Sequence, residues 1–136
     1  MSMDAAIVGA WRTTVTIPGG PPPFVNLTTF SGDGIVLNAF PTPSPAPPGA
    51  NHKLEFFTTA VGSWHENDGK IALAFETLGV DENGTPIGSH AISATVTVGA
   101  DGTEWNGPFT LTVLDTAGTQ VASVSGSVSG ARIAPG

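Results

Sequence analysis

Only three side chains in this 136-residue sequence, His52, His65 and His90, have an unperturbed pKa near neutrality. Cysteine is absent, which removes thiol nucleophiles, thiolate zinc sites and disulfides together. The histidines read as one in a loop, one on an outer face and one on an inner face, and no His-x-His or HExxH spacing joins them. Asp81-Glu82-Asn83-Gly84 begins like a calcium loop but lacks the later ligands and the terminal Glu, so it reads as a hairpin turn. No glycine-rich loop precedes a helix, which leaves no phosphate cradle. No metal and no cofactor is expected. His90 itself has three possible uses: packing with a satisfied ring, a hydrogen bond to a ligand, or general acid/base catalysis. A catalytic imidazole wants a carboxylate to orient it. Glu76 and Glu104 read as outward, and Glu55 reaches the interior only if its strand takes the other register.

The elements that must position these groups are strands. Alternation and β-branched residues run through the chain, while helical periodicity is hard to find. Turn signals recur at Ser31–Gly34, Glu66–Gly69, Asp81–Gly84, Ala100–Gly102 and Asp115–Gly118. Between them lie eight expected strands, near 7–17, 24–30, 35–40, 54–65, 70–79, 87–98, 104–114 and 120–133. Eight sequential antiparallel strands remove their free edges by closing into an all-β, up-and-down barrel. Residues 1–136 then form one domain. In such a barrel, the loops after the first, third, fifth and seventh strands share one end. Both proline-rich stretches, Pro18–Pro23 and Pro41–Gly49, fall there with Val80–Pro86 and form a long-looped mouth, while the tight turns form the floor.

Alternation assigns the inner face. The first strand points Trp11, Thr13, Val15 and Ile17 inward, the fifth Ile71, Leu73, Phe75 and Thr77, and the seventh Trp105, Phe109, Leu111 and Val113. On the last strand Val124, Gly126, Val128 and Gly130 share that face, and its glycines are expected to leave room inside. In the second and third strands Phe24, Asn26, Thr28 and Phe30 compete with Val25, Leu27 and Thr29, as Val36, Asn38 and Phe40 compete with Ile35, Leu37 and Ala39. The aromatic sets are adopted, which puts both asparagines inside; bulges could reverse any of these faces. In the fourth strand the set containing Phe56 and Trp64 is taken as inward, against Phe57, Val61 and His65. His90 shares the parity of Ile92 and Val96 and sits near the mouth. The expected ligand-binding residues are Phe24, Asn26, Asn38, Phe40, Phe56, Phe75, Thr77, His90, Phe109 and Leu111, with His90 the single candidate for catalysis.

At the floor, Gly9-Ala10-Trp11 opens the first strand and Arg132 lies in the last, within Gly130-Ala131-Arg132-Ile133. This pairing resembles the lipocalin-like (calycin) superfamily, in which a Gly-x-Trp on the first strand packs under an Arg from the last. The resemblance implies an eight-stranded barrel with a cavity and a structural clamp at Trp11 and Arg132, and it implies no single chemistry. The absence of cysteine makes the chain more similar to small cytosolic lipocalin-like proteins of bacteria than to secreted lipocalins.

Composition bounds the partners. The net charge of −7 repels phosphate backbones and anionic lipid, so nucleic-acid and membrane roles are not expected. No apolar run approaches the ~18 residues of a membrane helix. The first residues, MSMDAAIVGAW, lack a basic stretch and a long apolar run, so no signal peptide and a cytoplasmic location are expected. Charged residues are 11% of the chain, with 18 glycines and 12 prolines, but 40% hydrophobic content and three tryptophans oppose disorder. The expected function is binding of a small apolar or aromatic molecule in the barrel. The alternative is a cofactor-independent isomerase, cyclase, hydratase or lyase using His90 in the same cup. A third reading is an interaction module using an outer face, and a monomer or a homodimer is expected.

Overall fold

Ten strands and no helix appear among residues 5–135, which the computed structural model describes. They are β1 (Gly9–Thr16), β2 (Phe24–Phe30), β3 (Ile35–Ala39), β4 (Ser44–Pro45), β5 (Leu54–Phe57), β6 (Ala60–Asn67), β7 (Lys70–Asp81), β8 (Pro86–Val98), β9 (Glu104–Leu114) and β10 (Gln120–Arg132). Eight of them pair in the order β7-β6-β3-β2-β1-β10-β9-β8, and β8 pairs back with β7 to close an antiparallel barrel. The turn chemistry matches this plan. Asp68 and Gly69 both have positive φ, 54° and 78°, as a two-residue hairpin between β6 and β7 requires. At the other end, Asp81 Oδ1 accepts from the Asn83 and Thr85 amides, and Asp115 Oδ1 accepts from those of Ala117 and Thr119. The Asp81 side chain thus closes a turn, in line with the hairpin reading of that acidic stretch.

The floor carries the core. Ile7, Trp11, Phe30, Val36, Ile71 and Val96 are at most 1% exposed, and Trp105 is 2% exposed. Trp11 and Phe30 each meet Trp105 in a T-shaped arrangement, at centroid separations of 6.0 and 6.1 Å. Phe30 also meets Trp64 at 6.1 Å. Each such ring removes roughly 150–250 Å² from water, so this end holds much of the hydrophobic stabilisation. The segment before β1 crosses beneath the barrel, and the Trp11 indole donates to Ile7 O at 2.8 Å. Arg132, paired with Trp11 across β1 and β10, places its guanidinium 4.2 Å from the indole centroid. It donates to the carbonyls of Gly102 at 2.9 Å, Val8 at 3.0 Å and also Ala6. Gly9 has a φ of 132°, and a Cβ there would lie 2.6 Å from Arg132 Nη1, so both backbone and space call for glycine.

Three expectations need correction. A Cβ at Gly130 would lie 2.2 Å from the Trp105 ring, and one at Gly126 would lie 2.8 Å from Phe109. These glycines therefore seat rings from β9 rather than leave open space. The proline-rich stretch before β5 is not wholly outside the ladder, because Ser44 and Pro45 pair with Glu55 and Leu54 at the sheet edge, where proline is tolerated. The expected fourth strand is two strands. Phe57 pairs with Gly79 and Val61 pairs with Glu76, so Thr58–Ala60 oppose only Thr77 and Leu78. That one-residue bulge reverses the faces between β5 and β6.

Candidate functional site

Adjacent inward positions differ in burial from one end of the barrel to the other. On β2, Phe30 is 1% exposed at the floor and Phe24 is 41% exposed at the mouth. The inward residues Ile17, Phe40, Leu111, Val113 and Val124 near the mouth are likewise only half-buried. They make the mouth end of the inner face apolar and less buried than the floor, between the long loops.

The bulge between β5 and β6 builds one wall of this mouth end. Thr77 and Thr58 hydroxyls lie 3.1 Å apart, Thr77 Oγ1 donates to Thr58 O, and Thr58 Oγ1 accepts from the Leu78 amide at 3.0 Å. These bonds hold the kink in place. Below it, Ala60 is fully buried and Val61 is outward, as expected for the Trp64 set. Above it the faces reverse, so Phe56 is 36% exposed while Phe57 turns in. The Phe57 ring lies over Gly79, where a Cβ would come within 2.7 Å of it, and reaches across β7 to His90. Phe57 and His90 centroids are 4.5 Å apart, and Phe40 packs on the other side of Phe57 at 5.8 Å.

Glu55 shares the Phe57 face, so the reversed register brings a carboxylate to the mouth end of the inner face. His52 Nε2 donates to Glu55 Oε2 at 2.8 Å. Burial holds the His90 imidazole below its ordinary pKa, and the charge of Glu55 opposes that shift. A strut steadies the same wall: Glu82 accepts from the Lys53 amide at 2.8 Å and also from that of Leu54, and these bonds hold its carboxyl below the usual range. The opposite wall is polar at its base. Asn38 Nδ2 donates to Asn26 Oδ1 at 3.2 Å and to Thr28 Oγ1 at 2.8 Å, and Thr28 shares a 2.8 Å bond with Thr13.

Of the expected site residues, the structure groups Phe40 with His90 through Phe57, and Asn26 with Asn38, with Phe24 at the rim and Leu111 half-buried opposite Ile92. Three others lie elsewhere on the inner face: Phe75 packs against the floor core, Thr77 is locked to Thr58, and Phe109 covers Gly126. Phe56 faces out, displaced by the bulge. Phe57 and His52 lie outside the expected set, and Glu55 enters through the other register on which its inward position depends. The consecutive pair Phe56-Phe57 was the available signal, because alternation cannot turn both rings inward. Among the described residues no group of three or more His, Asp or Glu could hold a metal ion. A groove of about 390 Å³ also crosses the outer face of β6–β9, lined by Val61, Ala74, Glu76, Ala91, Ser93 and Thr112. Phe75 and Ile92 also border it, but both belong to the inner-face set, so its outward side chains are small or polar, whereas the mouth gathers Phe40 and Phe57 about His90. Comparison with known proteins found no match among family models, curated proteins or solved structures.

Proposed function

We propose that this calycin-like barrel binds a small, largely apolar or aromatic molecule in its mouth, with His90 and the Asn26–Asn38 pair setting orientation. The observation that carries the reading is the half-exposed apolar lining at the mouth above a fully buried floor. An apolar concavity with a few placed polar groups is the usual make-up of a small-molecule site. Phe57 and Phe40 supply flat contact surface, and a neutral imidazole donates or accepts one hydrogen bond. The proposed setting is cytoplasmic, as a monomer or a homodimer, without nucleic acid or membrane. Native mass spectrometry of freshly purified protein, followed by calorimetric titration with a panel of aromatic compounds, tests it. A co-purifying small molecule or saturable one-to-one binding is expected. An empty barrel that binds no member of the panel overturns the reading.

A second reading, acid/base catalysis on a cofactor-independent substrate, is favoured by Glu55 lying on the Phe57 face of β5, from where its charge acts on the His90 imidazole. The imidazole would move a proton and the carboxylate would balance its charge. His90→Ala separates the two: a carrier keeps most of its affinity, whereas an enzyme loses turnover with its fold intact.

A further inference from the structure

The asparagine pair has hydrogen-bonding capacity left over, and its pattern is fixed. Asn38 directs both protons of its amide nitrogen at protein acceptors, Asn26 Oδ1 and Thr28 Oγ1. The Asn26 amide nitrogen and Asn38 Oδ1 then have no partner among the described hydrogen bonds. If both amides were turned over, Asn38 Oδ1 would accept from Asn26 and Thr28, leaving Asn38 nitrogen and Asn26 oxygen. Either way one N–H donor group and one carbonyl acceptor remain on this hydrogen-bonded pair.

These atoms face accessible space. Asn26 and Asn38 retain 8% and 4% exposure, and among the described residues the only solvent-excluded side-chain polar atom without a partner is Trp105 Nε1. Each asparagine lies one inward step, ~7 Å, below an aromatic residue of the cup: Asn26 below Phe24 and Asn38 below Phe40. A ring seated among those aromatics places its substituent on the amides.

Resting on the binding reading above, we infer that the cup selects a neutral aromatic ligand bearing an adjacent donor and acceptor, a carboxamide or lactam. A carboxamide offers its carbonyl to the free N–H and its N–H to the free carbonyl. A carboxylate offers acceptors only, so one oxygen would face the protein carbonyl. The charges near the mouth bear on this: Arg12 is on the outer face of β1 and Lys53 is exposed ahead of β5, and neither makes a side-chain hydrogen bond to the asparagines. Glu55 adds repulsion toward anions.

Calorimetric titration with naphthamide, methyl naphthoate and naphthoate tests this, because the three share one ring system and differ in the polar group. Naphthamide is expected to bind about tenfold to a hundredfold more tightly than the methyl ester, with naphthoate weakest. In an Asn26→Leu/Asn38→Leu variant whose barrel is verified by circular dichroism, the ratio of amide to ester affinity is expected to fall to within about threefold of one. Should that variant not fold, Asn26→Asp replaces the donor by an acceptor and is expected to abolish the preference alone. Equal binding of amide and ester, or a preference that survives these substitutions, overturns the inference and leaves the binding reading standing. Failure of all three probes and of the aromatic panel overturns both.

Discussion

The two ends of one barrel solve different problems with the same residue types. The floor uses Trp11, Phe30 and Trp105 edge to face, and Arg132 covers Trp11 while satisfying three carbonyls. The mouth uses Phe24, Phe40, Phe57 and His90 and leaves them half-exposed or exposed. Aromatic content therefore does not tell core from site. Glycines seat rings at both ends, Gly130 under Trp105 and Gly79 under Phe57, so what distinguishes the ends is whether chain caps the rings. Residues 5–8 close the floor, whereas the mouth is bordered by proline-rich loops.

The largest expected break in this contrast is Arg132→Ala. Three carbonyls lose a cationic donor and the indole loses its cation–π contact, so stability should fall by about 3 kcal/mol, roughly 10 °C in Tm. Mouth binding of an aromatic probe should persist wherever the barrel remains folded. Loss of binding without a Tm change would reverse the assignment of Arg132 as a structural clamp.

A matched pair of substitutions probes the floor more finely. Trp11 donates its indole N–H to Ile7 O, whereas Trp105 Nε1 is buried without a partner. Trp11→Phe is expected to cost about 2 kcal/mol, since it leaves that carbonyl bare and weakens the cation–π contact. Trp105→Phe removes an unsatisfied donor with a similar loss of volume and should cost under about 1 kcal/mol. Equal costs in chemical denaturation would show that volume alone decides at both positions.

At the mouth the sign of the trade changes. Phe57→Ala should cost only about 1 kcal/mol of stability, because the ring is half-buried, but about tenfold in affinity for an aromatic probe. An unaltered affinity would remove Phe57 from the site.

How far the sequence revealed this contrast depends on locality. The tight turns, the alternation on β1, β7 and β10, and the meeting of Trp11 with Arg132 follow from local pattern and strand counting, and the structure shows each. The β5–β6 bulge does not. It exists because Thr58–Ala60 oppose two residues of β7, and no alternation within 54–65 encodes that pairing. One misplaced residue moved Phe56 out and brought Phe57 and Glu55 in. The inward glycines failed for a related reason. Small size is local information, but whether the space stays open depends on Trp105 and Phe109 from the neighbouring strand. The outer face is uneven: serines line β10, whereas Leu27, Ile35, Leu37 and Val61 expose an apolar stripe across β2, β3 and β6.

The smallest effect tests the electrostatic side of the contrast. His90 sits in an apolar wall where burial disfavours its charged form, so its pKa in the fold lies below the ordinary value of 6.5. Between those two values the unfolded chain takes up a proton that the native protein refuses. Stability should therefore be complete above the ordinary imidazole pKa, decline as pH falls through it, and stop declining once the folded-state pKa is passed. His90→Leu removes the titrating group and keeps an apolar surface against Phe57. The difference in denaturation midpoint between wild type and His90→Leu should shift in favour of the variant between about pH 7 and pH 5. Every other residue is common to the two proteins, so the difference isolates position 90. A pH-independent difference would mean that His90 is as well solvated in the mouth as in the unfolded chain, and the wall it shares with Phe57 would then be no part of an apolar cup.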